Sequence, residues 1–251
     1  MRVQLPTIIF VSLSLIIAIP LLYYMKTNGD VASRQAINLE SEEFKSLREQ
    51  GAVARNAEKY EQAIAIYEEA LKMRPENAEV VNDLAATYYE FGLEQAGPSW
   101  PSWETDLTGH TPPEALQEFQ RAIDTVVSGY IVFKSDKPDV TEAIEKKAQE
   151  IDAYLYAERF GDNATLNIVI GNTRTLFKKA TEGYLRAIDI KPTYSPAYRN
   201  LGSLYMNVGR HDTAVDYLEK AYELDPRDEE LGQYLNELRS KNMPIISTVN
   251  P

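Results

Sequence analysis

The sequence contains no cysteine and only two histidines, His110 and His211, among 251 residues. Without cysteine there are no disulfide bonds, thiolate metal sites, iron–sulfur clusters or cysteine nucleophiles, and two histidines argue against a multi-histidine metal centre. Basic side chains are also scarce, since 26 lysines and arginines face 38 aspartates and glutamates for a net charge of −12. A chain this acidic lacks the basic face that nucleic-acid binding needs.

An uncharged apolar run lies near the N-terminus, where residues 6–25 comprise 20 residues between Arg2 and Lys26. As a helix this segment is about 30 Å long, which matches the hydrocarbon core of a bilayer. A cleaved signal peptide is the competing interpretation, but it needs small residues after the run, where Leu21, Leu22 and Tyr23 stand. We therefore predict a single-pass membrane anchor at residues 1–26 and a polar tether at 27–40. We expect the body of the protein on the extracytoplasmic (periplasmic) side.

The rest of the chain is internally repetitive. Four segments each carry an alanine, a bulky residue four positions later and a second alanine three positions after that, a spacing that places all three on one helical face. The four series are Ala63–Tyr67–Ala70, Ala115–Phe119–Ala122, Ala180–Tyr184–Ala187 and Ala214–Leu218–Ala221. In three of them a proline follows five residues after the second alanine and ends the helix, at Pro75, Pro192 and Pro226.

Helices of a second kind precede these segments, the clearest being residues 197–205, with Tyr198, Leu201-Gly202 and Tyr205. Together the two patterns resemble the tetratricopeptide repeat (TPR), which folds as two antiparallel helices in 34 residues. The resemblance implies an all-α fold, a TPR-type helical-hairpin solenoid following the N-terminal transmembrane helix.

Two repeats of this solenoid have the usual length and two depart from it. Thr111 to Glu114 form a capping box that begins a helix after an insertion, and a second helix from about 164 to 190 is nearly twice the usual length. With its preceding helix, which ends near Gly161, this long helix is expected to protrude as a hairpin. The predicted organisation is a solenoid at 41–241 with units at about 44–77, 78–131 with an insertion at 95–110, 139–194 (elongated) and 195–228, then a capping helix at 229–241 and a tail at 242–251.

Catalytic motifs are absent from the sequence, which has no H-E-x-x-H, G-x-S-x-G or phosphate-binding glycine pattern. His211 lies in a predicted turn and His110 in the insertion, so neither is a strong candidate base. We therefore expect no catalytic residue, cofactor or metal, and no enzymatic activity.

The resemblance to TPR proteins implies a concave groove, lined by the first helix of each pair, that binds a segment of another protein. The basic and asparagine residues of repeats that clamp a C-terminal carboxylate are not reproduced, because Ala52 and Glu79 occupy the matching positions. Trp100 and Trp103 in the insertion either dock a partner or fold back onto the neighbouring helices. The candidate partner-binding residues are Arg48, Arg55, Asn82, Tyr89, Arg199, Asn200, Ser203, Asn207, Trp100 and Trp103.

These features predict a membrane-anchored TPR scaffold or assembly factor that binds a partner protein of the envelope or membrane. One alternative is a permanent structural subunit of a membrane complex, and another is an enzyme whose site is not recognised. The sequence specifies neither the partner nor the oligomeric state.

Overall fold

The computed structural model describes residues 41–240. The predicted anchor at 6–25, the tether at 27–40 and the tail at 242–251 lie outside the described residues. The chain divides into two units, 1–47 and 48–251. The described part of the first unit, residues 41–47, is helical, and the side-chain contacts discussed below all lie within the second unit. Within residues 41–240 no helix combines the length and hydropathy needed to cross a membrane.

The described residues form helices and strands. The helices are α1 (41–56), α2 (Tyr60–Met73), α3 (Ala78–Ala96), α4 (Pro112–Thr125), α5 (Pro138–Glu150), α6 (Gly171–Ile190), α7 (Ser195–Asn207), α8 (His211–Leu224) and α9 (Glu229–Ser240). The strands are β1 (Trp103–Asp106), β2 (Gly129–Ser135), β3 (Tyr154–Phe160) and β4 (Asn163–Ile170). The fold is mostly helical, as predicted, but the prediction of an all-α fold is wrong because these strands form one sheet.

Three helix pairs form the repeats, and each pair closes where a small residue meets a larger one. The pairs are α1 with α2, α3 with α6, and α7 with α8. A Cβ atom on Gly51 would lie 2.6 Å from the Tyr67 ring, and one on Gly202 would lie 2.7 Å from Leu218 Cγ. Between α3 and α6 glycines lie on both helices, because a Cβ on Gly183 of α6 would lie 2.7 Å from that of Ala85, and a Cβ on Gly92 of α3 would lie 2.7 Å from the Phe177 ring. Small residues therefore allow the helix backbones to approach, as the sequence pattern predicted.

The middle repeat is interrupted between its two helices by residues 97–170, which form a separate α/β layer. Its sheet has the order β1-β2-β4-β3, with β1 parallel to β2 and the other neighbours antiparallel. Helices α4 and α5 cover one face, where Phe119 and Ile144 pack with Phe133, Leu166 and Ile168 in a buried core. The insertion is therefore a folded layer, far larger than the loop predicted at 95–110.

The predicted elongated unit at 139–194 is wrong in its middle. The first helix ends at Glu150, and residues predicted to continue it form β3; the expected long helix from 164 to 190 is β4 followed by α6. Gly161 and Asp162 form a two-residue hairpin between the strands, with Gly161 at φ 63°, and Phe160 pairs with Asn163. Because the chain reverses there, no helical hairpin protrudes.

The predicted unit at 78–131 is also wrong. Its first helix is α3, as expected, but the series Ala115–Phe119–Ala122 lies on α4 and packs on the sheet, with Phe119 stacked on Phe133 at 5.9 Å between ring centroids. The second helix of this repeat is α6 instead. The predicted capping box is confirmed, since the Glu114 carboxylate accepts a hydrogen bond from the Thr111 backbone N–H at 2.8 Å and α4 begins at Pro112.

The second face of the sheet packs against the repeats. Tyr130, Val132 and Val169 share a buried cluster with Phe177 of α6 and Leu204 of α7. At one end of this contact, Gly209 has φ 76° and leaves no room for a side chain, because a Cβ there would lie 2.4 Å from Asn167 Nδ2. The insertion therefore forms one wall of the core of the repeats.

Candidate functional site

The first helices of the repeats, α1, α3 and α7, present the polar side chains that the sequence predicted for partner binding. We call this surface the first-helix face. It consists of Arg48, Arg55, Glu79, Asn82, Asp83, Tyr89, Glu90, Asn200, Ser203 and Asn207.

Between α1 and α3 the face is a cluster of charges. Arg48 forms salt bridges with Glu79 at 2.5 Å and with Asp83 at 3.6 Å. Arg55 is more loosely held, with its guanidinium 4.0 Å from Asp83 and 3.7 Å from Glu90. Its Nε is buried and donates no hydrogen bond to any described residue.

Burial controls the acids of this cluster. The pKa of Asp83 is raised because desolvation outweighs the neighbouring Arg55 and Arg48, and burial also raises the pKa of Glu90. Neither arginine therefore compensates fully for the burial of these two carboxylates. Asp83 and Glu90 are not among the residues predicted from the sequence, although their spacing of seven residues places them on one face of α3.

Between α3 and α7 the face is neutral and closed by amide and phenol groups. Asn200 Nδ2 donates to Asn82 Oδ1 at 3.1 Å, and Asn207 donates to the Tyr89 hydroxyl. The exposed Ser203 Oγ donates to the Arg199 carbonyl of its own helix at 2.9 Å. The structure therefore brings four of the predicted residues into two cross-helix pairs.

Arg199 points toward the end of the repeats. Its guanidinium contacts Asp228 at 2.8 Å and Glu230 at 2.6 Å, linking α7 to the start of α9. Because α9 covers the last pair, Arg199 is engaged by the chain itself and is a weaker candidate for binding than Arg55.

Both tryptophans pack against other residues of the protein, which is the second of the two interpretations given above. Trp100 stacks on Tyr130 with ring centroids 4.7 Å apart and also contacts Phe177 at 5.8 Å. Trp103 lies on β1, packs against the core under α4, and donates from its indole Nε1 to Thr105 Oγ1 at 2.7 Å. Both are half-buried, and neither belongs to the first-helix face.

Histidine and carboxylate side chains do not gather into a metal site in the described part of the chain, where no cluster of three or more is placed to hold an ion. His110 lies in the loop before α4, near the Thr108 carbonyl at 3.4 Å. His211 begins α8 and its Nδ1 lies 2.8 Å from Glu158 of β3. Hydrogen bonding to Glu158 raises the pKa of His211.

Family models match the chain at two places. The tetratricopeptide repeat model matches residues 195–228, the same bounds that the sequence pattern predicted, and a further TPR repeat model matches residues 51–92. The second match ends at Gly92, four residues before α3 ends and the insertion follows.

Two curated human proteins are similar to parts of the chain. Protein O-mannosyl-transferase TMTC1 is 26% identical over 196 residues, which is 75% of this chain and 20% of that protein. Tetratricopeptide repeat protein 6 is 29% identical over 118 residues, 46% of this chain and 23% of that protein. The chain thus spans between a fifth and a quarter of the length of these relatives.

Two solved structures resemble the fold at low identity. The Arabidopsis OM64 TPR domain has 14% identity and a TM-score of 0.44, covering 80% of this chain and 98% of that one. The first TPR of Spaghetti (RPAP3), bound to an HSP90 peptide, has 13% identity and a TM-score of 0.43, covering 80% and 94%.

The matched residues include both contacts at which a glycine of the first helix meets a larger residue of the second, Gly51 with Tyr67 and Gly202 with Leu218. TPR domains typically mediate protein–protein interaction. The chain therefore carries tetratricopeptide repeats, and its middle repeat is split by a folded α/β insertion.

Proposed function

We propose that this protein is a membrane-anchored scaffold or assembly factor whose repeats bind an extended segment of a partner protein along the first-helix face. Residues 6–25 are the proposed anchor, and the proposed location of the repeats is the extracytoplasmic side. The proposed role is binding, without catalysis or a cofactor.

The observation that carries the proposal is the state of Arg55. Its Nε is buried and has no hydrogen-bond acceptor among residues 41–240, and its guanidinium lies 3.7 Å from Glu90 and 4.0 Å from Asp83, beyond ordinary hydrogen-bond length. A buried donor left unpaired costs free energy that a partner's carbonyl or carboxylate oxygen recovers. An extended segment presents such an oxygen from its own backbone.

The charge of the face favours a partner segment that is neutral or basic. Arg48 and Arg55 stand against Glu79, Asp83 and Glu90, so the cluster carries two positive groups and three negative ones. Burial already disfavours the ionised forms of Asp83 and Glu90. A strongly acidic tail would add to this repulsion, whereas N–H donors and basic side chains relieve it.

An anchor in the same membrane as the partner raises the effective concentration of the partner at the first-helix face. Modest affinity is then sufficient for an assembly factor that must also release its partner.

The partner site is tested by a photo-reactive amino acid at Ala86, between Asn82 and Tyr89 on α3, in the full-length chain in cells. The matched control position is Leu185, which is exposed on the second helix α6. We expect a discrete cross-linked protein from Ala86 and none from Leu185. Cross-links from Leu116 of the insertion, without any from Ala86, would move the site to the α/β layer.

The cross-linked protein, once identified and purified, allows a direct measurement. Arg55→Ala is expected to weaken its binding about tenfold, the size of one hydrogen bond to a charged group. Arg121→Ala on α4, which removes only a surface pair with Glu118, is the control and should leave the affinity unchanged. Equal affinities for the two variants would contradict the proposed face.

The side of the membrane is tested by exploiting the absence of cysteine from the chain. Ser203→Cys introduces a single exposed thiol on α7, and a membrane-impermeant maleimide added to intact cells or spheroplasts should label it. Labelling only after the cytoplasmic membrane is opened would place the repeats in the cytoplasm.

A further inference from the structure

A cavity lies away from the first-helix face, where the inserted sheet meets the repeats. It has a volume of about 310 Å³ and lies among β3, β4, α6 and the C-terminal end of α7. This volume corresponds to that of about ten water molecules at roughly 30 Å³ each, at the lower end of the range for ligand pockets. Cavities between two structural layers are a common place for ligands.

The inner wall of this cavity is apolar. Val169 of β4, Phe177 of α6, Leu204 of α7 and Val208 line it, and each is at most 5% exposed. These side chains come from the sheet and from two repeats, so the cavity exists only because the insertion packs on the repeats. An apolar wall of this kind selects a hydrocarbon or aromatic body.

The rim on α6 is polar and carries two cations. Arg174 forms a salt bridge with Asp152 at 2.8 Å, but Asp152 is 86% exposed, so this pair is held at the surface. Arg174 Nε is nevertheless buried and donates to no group among residues 41–240. Lys178, one turn along, lines the cavity and forms no salt bridge within the described part of the chain. Glu182 is the one carboxylate among the lining residues.

The geometry points to a site for a small amphiphilic monocarboxylate, with an apolar body of medium acyl length along Phe177 and Leu204 and its carboxylate between Arg174 and Lys178. The unpaired Nε needs an acceptor, and a carboxylate supplies it through a charge-assisted bond. A cationic amphiphile would meet two like charges and one carboxylate at the rim. A ligand held this way contacts the insertion and the repeats together and stabilises their packing by mass action.

The test uses a photo-reactive decanoate, with a diazirine in the alkyl chain, and the full-length protein in lipid nanodiscs. We expect labelling of peptides that contain Phe177 or Leu204, and competition by unlabelled decanoate. The matching alkyl amine with the same photo-reactive group is the head-group control, and labelling by it should be at least about tenfold weaker at equal concentration.

Two neighbouring lysines provide a matched pair of variants. Lys178→Glu should reduce decanoate labelling about tenfold, because it places a carboxylate at the ligand's head group. Lys179→Glu makes the same charge change about 100° around the helix, where Lys179 lies 4.9 Å from the Tyr88 ring centroid and does not line the cavity, and it should leave labelling unchanged. Circular dichroism spectra of both variants check that they are folded.

A variant that fills the cavity tests the apolar part. Thr181→Trp on the rim should abolish labelling because the larger side chain fills the cavity, while both cations stay in place. Equal labelling of Lys178→Glu and Lys179→Glu, equal labelling by the amine, or labelling elsewhere only would each overturn the inference. Since the site shares no residue with the first-helix face, its failure leaves the proposed partner binding untouched.

Discussion

The side-chain amide of Asn200 donates a hydrogen bond to the amide oxygen of Asn82 at 3.1 Å, across a sequence separation of 118 residues. Asn82 is 4% exposed, so this bond lies at the inner edge of the first-helix face. The bond joins the middle repeat to the last one, although the whole insertion lies between the two asparagines in the sequence.

The first prediction concerns this pair. Asn82→Ala should lower the free energy of unfolding by about 1–3 kcal/mol, because it removes a buried hydrogen bond and its contact volume. A double-mutant cycle with Asn200→Ala should give a coupling energy of about 1 kcal/mol, measured by urea unfolding. The control is Ser203→Ala, an exposed hydroxyl one turn away on the same helix. A coupling energy near zero would show that the bond contributes nothing to the register of the repeats.

The second prediction separates packing from docking at Trp100. Trp100→Ala should destabilise the protein by about 2–3 kcal/mol, since the indole stacks on Tyr130 and covers Phe177. Trp100→Phe should recover a large part of this loss because it keeps the stacked ring. Neither change should alter the affinity for the partner when measured at a temperature where both variants are folded. A loss of affinity without a loss of stability would restore Trp100 to the partner site.

The third prediction concerns the insertion as a whole. Replacing residues 97–170 by a short glycine–serine turn joins α3 directly to α6, whose ends are close because Thr173 Oγ1 donates to the Gly92 carbonyl at 3.2 Å. The helix pair should form, but Phe177, Leu204 and Val208 lose the sheet that buries them. We expect a helical protein that binds the dye ANS strongly and self-associates.

The control for this excision changes only the exposed surface of the insertion. Leu116→Glu on α4 should leave dye binding and the oligomeric state as they are in the unmodified chain. A shortened chain that binds no dye and keeps the oligomeric state of the unmodified chain would show that the insertion is an independent appendage.

The fourth prediction is a dependence of stability on pH through His211. Its Nδ1 lies 2.8 Å from Glu158, and this hydrogen bond raises its pKa, with Glu158 and Asp212 adding to the shift against partial burial. Arg210 and Tyr154 are close by, joined at 2.8 Å, and Tyr156 lies under Arg210. A raised pKa means that the folded state binds the proton more tightly than the unfolded one.

The stabilisation by this pair is therefore fully present below the unfolded pKa of about 6.5 and is lost as the pH rises through the higher folded value. His211→Gln should cost up to about 1 kcal/mol at pH 5.5 and much less at pH 9, as measured by urea unfolding. His110→Gln is the control, because the His110 ring lies 3.4 Å from the Thr108 carbonyl and forms no salt bridge among residues 41–240. A cost independent of pH would mean that His211 acts only by packing.

The repeats at 44–77 and 195–228 could be predicted because their information is local. In each, a glycine on the first helix meets a bulky residue on the second within 16 residues, as with Gly51 and Tyr67 or Gly202 and Leu218. Strands β2 and β4 were missed because the sheet is covered on both faces along them. Strand β2 is buried at nearly every position, and β4 almost as fully, so neither shows the alternation of apolar and polar residues that marks a half-exposed strand.

The candidate site was predicted only in part, for a related reason. The sequence places Asn82 and Tyr89 on one face of α3 and Asn200 and Asn207 on one face of α7, but it does not state that these faces meet. The acids that neutralise Arg48, Arg55 and Arg199 lie on other helices or in the segment before α9, and their pairing depends on how the helices stack.

The repeating helix pair follows from local sequence, because a small residue opposite a large one within one pair is a short-range steric requirement. Which helices form the middle pair depends on long-range packing, since the partner of α3 is α6 and the α/β layer of residues 97–170 separates them in sequence. Ala115, Phe119 and Ala122 pack against a sheet, whereas Ala180, Tyr184 and Ala187 pack against a helix. Both series have the same spacing of small and large residues. Close packing on one face requires small residues beside a large one, whatever the surface opposite.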